Sequence, residues 1–96
     1  MKFNLFTEDR TLFLLGELKL ADVEYLSKTK NFGLPEDIDL IDLTDVSYIS
    51  DCGLALLIEW IKISKARGLE LTFRGISDLF TNIIELYGLH DLIYNS

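Results

Sequence analysis

The sequence is short of the residues from which most catalytic and metal sites are built. It holds one cysteine, Cys52, one histidine, His90, and one proline, Pro35, in 96 residues. A single thiol excludes an internal disulfide and any multi-cysteine zinc site. The lone imidazole has no second histidine with which to complete a metal set. The six glycines stand singly at turns and helix ends, so there is no glycine-rich phosphate cradle. No apolar run reaches the roughly 20 residues that span a bilayer. The opening Met1-Lys2-Phe3-Asn4-Leu5 lacks the apolar core of a signal peptide. Basic residues are also few, 9 against 16 acidic ones, for a net charge of −7 with no local Lys/Arg cluster. That balance repels nucleic acid and disfavours an anionic membrane surface. The expectation is a cytoplasmic protein that binds no nucleic acid, inserts into no membrane and carries neither metal nor cofactor.

What is present is a foldable core. Hydrophobic residues make up 49% and charged ones 26%, a globular balance. No boundary, repeat or low-complexity stretch interrupts residues 1–96, so they read as one domain, burying about 60–65% of its unfolded surface. Phe3–Thr7 and Thr11–Leu15 are short strands joined by Glu8-Asp9-Arg10, a β-hairpin running into Gly16. From Leu20 to about Lys30, Leu20, Val23 and Leu26 keep helical spacing, and the pattern is lost before Gly33-Leu34-Pro35. Ile38–Leu43 suits a central strand, with Thr44–Ile49 as its exit loop.

The strongest helix runs from Ser50-Asp51 to Gly68, with Leu54, Leu57, Ile58 and Ile61 on one stripe. Lys65 and Arg67 place positive charge in its last turn, before Gly68 as the residue that ends it. Leu69–Phe73 reads as a strand. Ser77 caps a further helix through Tyr87, closed by Gly88. The order β-β-α-β-α-β-α implies an α/β fold: one mixed sheet with helices packed against it and two parallel, right-handed crossovers.

Chemistry is hard to place on this frame. His90 follows a helix end in a Leu-rich tail and reads as a surface histidine. Carboxylates pair up at Glu8/Asp9, Glu36/Asp37 and Asp39/Asp42, on turns or along a strand. Asp39 and Asp42 fall on opposite faces of an extended strand and so cannot act together on one substrate.

The informative stretch is Asp42 to Leu57, where a strand passes into a helix whose first turn is small and polar. Free amides and the positive end of the dipole make such a start a docking point for an acidic group. The plainer alternative is a simple cap by Ser50 or Asp51. Cys52 is either a thiol made reactive by the helix end or a small residue chosen for fit.

The pattern Asp42-Leu43-Thr44, Val46, Ile49 and Gly53-Leu54, followed by Ala66-Arg67-Gly68-Leu69 and Leu86-Tyr87-Gly88-Leu89, resembles the STAS family of anti-sigma factor antagonists and their relatives. The resemblance implies a single STAS-type domain with a four- or five-stranded mixed sheet. About three helices would pack mainly on one side of it, with the start of the second presented to a partner. In the antagonists a hydroxyl at that start is phosphorylated by a partner kinase. Alignment on Gly53 puts Asp51, which has no hydroxyl, at the acceptor position, and Ser50 one residue earlier. A carboxylate there resembles a weak, permanent form of the modified state. Gly53-Leu54-Ala55-Leu56-Leu57 and Gly75-Ile76-Ser77-Asp78 are similar to the Mla-type subunit of phospholipid-transport ABC systems. That likeness implies binding to an ABC ATPase subunit. The alternative is an antagonist meeting an anti-sigma factor or serine kinase.

Leu56, Trp60 and Ile63 form a second apolar stripe on the same helix, roughly opposite the first. It either packs on a neighbouring helix or meets a partner, where Trp is a common anchor. The expected partner-binding set is therefore Ser50, Asp51, Cys52, Gly53, Leu56 and Trp60, with no catalytic residue.

Overall fold

The computed structural model describes residues 2–76 together with Thr81 and Glu85. The expected helix from Ser77 to Tyr87 and the reading of His90 lie outside these residues, apart from Thr81 and Glu85, which are helical. The chain opens as a hairpin of β1 (Asn4–Glu8) and β2 (Thr11–Leu18). Asp9 and Arg10 at its tip both have positive φ, the two-residue turn whose twist matches that of the strands. Next come α1 (Leu20–Ser27), β3 (Leu40–Ile49), α2 (Asp51–Ala66) and β4 (Thr72–Arg74).

The four strands lie in the order β1-β2-β3-β4, with β1 antiparallel to β2 and the β2–β3 and β3–β4 pairs parallel. The expected mixed sheet with parallel crossovers is thus present. Leu12, Leu14 and Leu18 of β2 join Ile41, Leu43 and Ile49 of β3 to form the face covered by the helices. On the opposite face Phe6 stacks on Phe13 at 4.8 Å, and the Arg74 guanidinium lies 5.9 Å from the centre of the Phe13 ring.

The last strand holds only Thr72–Arg74 where Leu69–Phe73 was expected, and two larger expectations change. Thr44–Ile49 is not an exit loop but the second half of β3, paired through to Leu18. Thr44-Asp45 and Ser47 carry turn chemistry, yet pairing with the longer β2 outweighs it. The register shifts twice along that pairing, which breaks the alternation that would have marked a strand. At the first shift the Asp42 carboxylate accepts the Thr44 amide at 2.8 Å, satisfying a donor there.

The first helix is also shorter than expected, ending at Ser27. Lys30–Gly33 follows as an irregular turn with Asn31 and Phe32 in the left-handed region. That turn aims the Phe32 carbonyl at the Trp60 indole N–H, 2.9 Å away. Arg67 fastens the next segment by donating to the carbonyls of Pro35 and Leu34.

Helix α2 ends as its sequence suggests. Gly68 takes a φ of +76°, and the amides of Leu69 and Gly68 return to the carbonyls of Ser64 and Lys65.

Candidate functional site

The β3–α2 junction sits at the end of the sheet where β2 and β3 both finish. The Ser50 amide donates to the Leu18 carbonyl at 3.0 Å, so the junction is pinned to the end of β2. The Ser50 hydroxyl then accepts the Gly53 amide at 3.0 Å, which makes Ser50 the N-cap of α2 and Asp51 its first residue. Ser50 is half-buried in that task. Gly53 is buried because nothing larger fits: a Cβ there would lie 2.6 Å from Ile49 Cγ1 and 2.9 Å from Leu18 Cδ2. Its absence lets α2 start directly against the sheet. Asp51 and Cys52 face solvent, with the free amides of the first turn behind them. The carboxylate of Asp51 at this end is stabilised by the helix dipole.

Leu56 and Trp60 are not part of any exposed surface. Leu56 is 2% exposed and Trp60 0%, so their assignment to partner binding is corrected. The two apolar stripes of α2 are the edges of one broad buried arc, filled between them by Gly53 and Ser64. One side of that arc meets the sheet. The other meets α1 and the Lys30–Gly33 turn, where Trp60 finds its hydrogen-bond partner. The solvent-facing strip of α2 instead runs from Asp51 and Cys52 through Ala55 to Lys62, with Glu59 alongside and paired to Lys62 at 3.4 Å.

Two exposed apolar side chains flank the junction and escaped the sequence reading. Leu20, at the start of α1, is 53% exposed, while Val23 and Leu26 from the same stripe pack on the core. Tyr48, two residues before the cap, is 46% exposed. No local pattern marks either one, because their exposure follows from where β2 and β3 end. The exposed carboxylate of Asp51 stands at the same junction, whereas Lys19 is already paired with Glu17 at 3.3 Å. The surface is therefore apolar at two points, small at Cys52 and Ala55, and acidic.

Of the carboxylates considered for chemistry, Asp39 and Asp42 are held apart, each with its own cation. Asp39 pairs with Arg10 at 3.0 Å, while Asp42 pairs with Arg74 at 2.7 Å on the face away from the helices. Desolvation of the Asp42 carboxyl is the largest influence on it and raises its pKa. The hydrogen bonds from Thr44 and Arg74, with the Arg74 charge, together outweigh it and hold Asp42 below the usual carboxylate range. Among the described residues, no group of three or more His, Cys, Asp or Glu side chains could hold a metal ion. Nor is any helix there long and apolar enough to cross a membrane.

A four-stranded mixed sheet with the described helices on one side is an arrangement shared with proteins of known family. A family model described as "Mlab, STAS domain" matches residues 3–94. The chain belongs to the STAS domain family. It is 34% identical to the anti-sigma-B factor antagonist of Listeria monocytogenes over 91% of its own length and 78% of that protein. It is 38% identical to the intermembrane phospholipid transport system binding protein MlaB of Escherichia coli, over 82% of its own length and 80% of that protein. The solved structure of the anti-sigma factor antagonist SpoIIAA in its unphosphorylated form superimposes with a TM-score of 0.64. It covers 88% of this chain and 83% of SpoIIAA at 19% identity, which shows the shared fold.

Proposed function

We propose that this protein is a non-catalytic docking module at the cytoplasmic face of a phospholipid-transport ABC system, where it binds the ATPase subunit and supports it. The observation that carries the reading is the exposed first turn of α2, where a carboxylate, Asp51, stands beside Cys52 and the hydroxyl of Ser50, the residue before it, caps the helix. A subunit that is always bound needs no phosphate switch, and a fixed negative charge at the helix start suits such a role. The likeness to MlaB supports the same partner. Docking spreads from Asp51 and Cys52 to Leu20, Tyr48 and Ala55, with Ser50 and Gly53 shaping the surface from behind.

A second reading, an antagonist that meets an anti-sigma factor or its serine kinase, is favoured by the likeness to the Listeria antagonist. Co-purification from the native cell with intact-mass analysis separates the two. The transport reading expects an ABC ATPase subunit to come along and the protein to carry no phosphate. Recovery of a serine kinase, with a phosphorylated species mapping to Ser50, would overturn it.

A further inference from the structure

The outer edge of β1 has no strand beside it among the described residues, and its backbone faces outward in a known phase. The two-residue turn at Asp9-Arg10 makes Glu8 and Thr11 the hydrogen-bonded closing pair of the hairpin. By alternation Phe6 and Asn4 also bond to β2, which leaves the backbone groups of Phe3, Leu5 and Thr7 pointing away from it. The Leu5 amide agrees with this phase: it is met by the Asn4 side-chain oxygen at 2.9 Å rather than by a strand. Beneath the edge lies an open groove of about 450 Å³ lined by Phe3, Leu5, Tyr25 and Leu26, with Lys2 and Asp22 at its rim. Tyr25 is 64% exposed there, and Phe6 is 47% exposed on the other side of the strand.

We propose that this edge is the interface of a weak homodimer, in which β1 of two copies pairs antiparallel about a two-fold axis at Leu5. That register opposes Leu5 to Leu5 and Phe3 to Thr7, which are the residues whose amides and carbonyls are free to bond. It also sets Lys2 of each copy directly opposite the second copy's Glu8, giving two ion pairs from one contact. Both side chains are exposed. Moving the axis to Phe6 would oppose Lys2 to Arg10 and turn ladder-bonded groups toward each other. Pairing centred on Leu5 therefore satisfies backbone and charge together. Asn4, next to the axis, gives up its hold on the Leu5 amide to the incoming carbonyl. The apolar groove beneath each edge then closes over Leu5 and Phe3.

The test is sedimentation equilibrium by analytical ultracentrifugation across a wide concentration series at moderate salt, which screens the repulsion between two acidic copies. The wild-type protein is expected to move from the monomer mass toward twice that value. Lys2→Glu and Glu8→Lys alone are each expected to weaken association at least tenfold, and the double exchange to restore it. Thr7→Pro removes an outward amide without touching the ladder to β2, so it should abolish the dimer and leave the circular dichroism of the monomer unchanged. A protein that stays monomeric throughout would overturn the proposal. A dimer indifferent to the charge exchange and to Thr7→Pro would do so equally.

Discussion

Replacing Trp60 separates a core residue from a binding anchor, because the two roles predict opposite losses. The side chain is fully buried, and its indole N–H donates to the Phe32 carbonyl at 2.9 Å. Trp60→Ala opens a large cavity, and such truncations cost about 3–5 kcal/mol. Trp60→Phe is gentler. It forfeits one hydrogen bond, about 0.5–1.5 kcal/mol, and leaves a polar carbonyl without its partner. The missing second ring adds about 1 kcal/mol, taking ~40 Å³ of cavity at roughly 24 cal/mol per Å³. A total near 2 kcal/mol lowers Tm by about 8–16 °C in a domain of this size. Trp60→Ala would remove a large part of the 5–15 kcal/mol that such a domain possesses. Trp60 is the only tryptophan, so unfolding should be followed in urea by far-ultraviolet circular dichroism rather than fluorescence. If Trp60→Ala keeps the wild-type midpoint and loses only its partner, the buried arc described for α2 is wrong and Trp60 is an interface residue.

Other substitutions probe the remaining parts of the frame. Ser64 is fully buried in α2 and its hydroxyl has no hydrogen-bond partner among the described residues, so Ser64→Ala should raise stability by about 1–2 kcal/mol in the same urea titration. Asp42→Asn should cost about 1–2 kcal/mol at neutral pH by weakening the bond to Arg74. Because the folded-state pKa of Asp42 is depressed, its contribution is present above the ordinary value of 3.8 and is lost as pH falls below it. The stability gap between wild type and Asp42→Asn should accordingly be constant from pH 7 to about 5 and narrow below about 4. A gap that widens in acid would contradict the assignment.

Much of the architecture was legible because periodicity and end signals agreed. The stripe from Leu54 to Ile61, the Gly68 terminus and the hairpin around Asp9-Arg10 each rest on two local features pointing the same way. Thr44–Ile49 was not legible, since two register shifts against β2 scramble the alternation that reveals a strand. The burial of Leu56 and Trp60 was not legible either. A helix that packs on a sheet and on a second helix buries far more than one stripe, and sequence spacing cannot say what stands on its second side. The helix start itself was found from its small, polar first turn. Its cap was left open between Ser50 and Asp51, and the structure gives it to Ser50. Leu20 and Tyr48 were missed because solvent exposure at a strand end is decided by tertiary placement.

Asp51 is where the proposed docking surface can be broken with least harm to the fold. Since Ser50 makes the cap, Asp51→Lys loses only a favourable dipole interaction, about 0.3–1 kcal/mol, which a thermal melt should register as a few degrees. In a closely packed interface the same reversal should cost several kcal/mol, and each 1.4 kcal/mol is about tenfold in affinity. The decisive measurement is the affinity of Asp51→Lys for the ATPase subunit recovered with the native protein, on material shown by its melt to be folded. We expect binding at least a hundredfold weaker than wild type. Binding at wild-type strength by a folded Asp51→Lys protein would mean that the start of α2 is not where the partner docks.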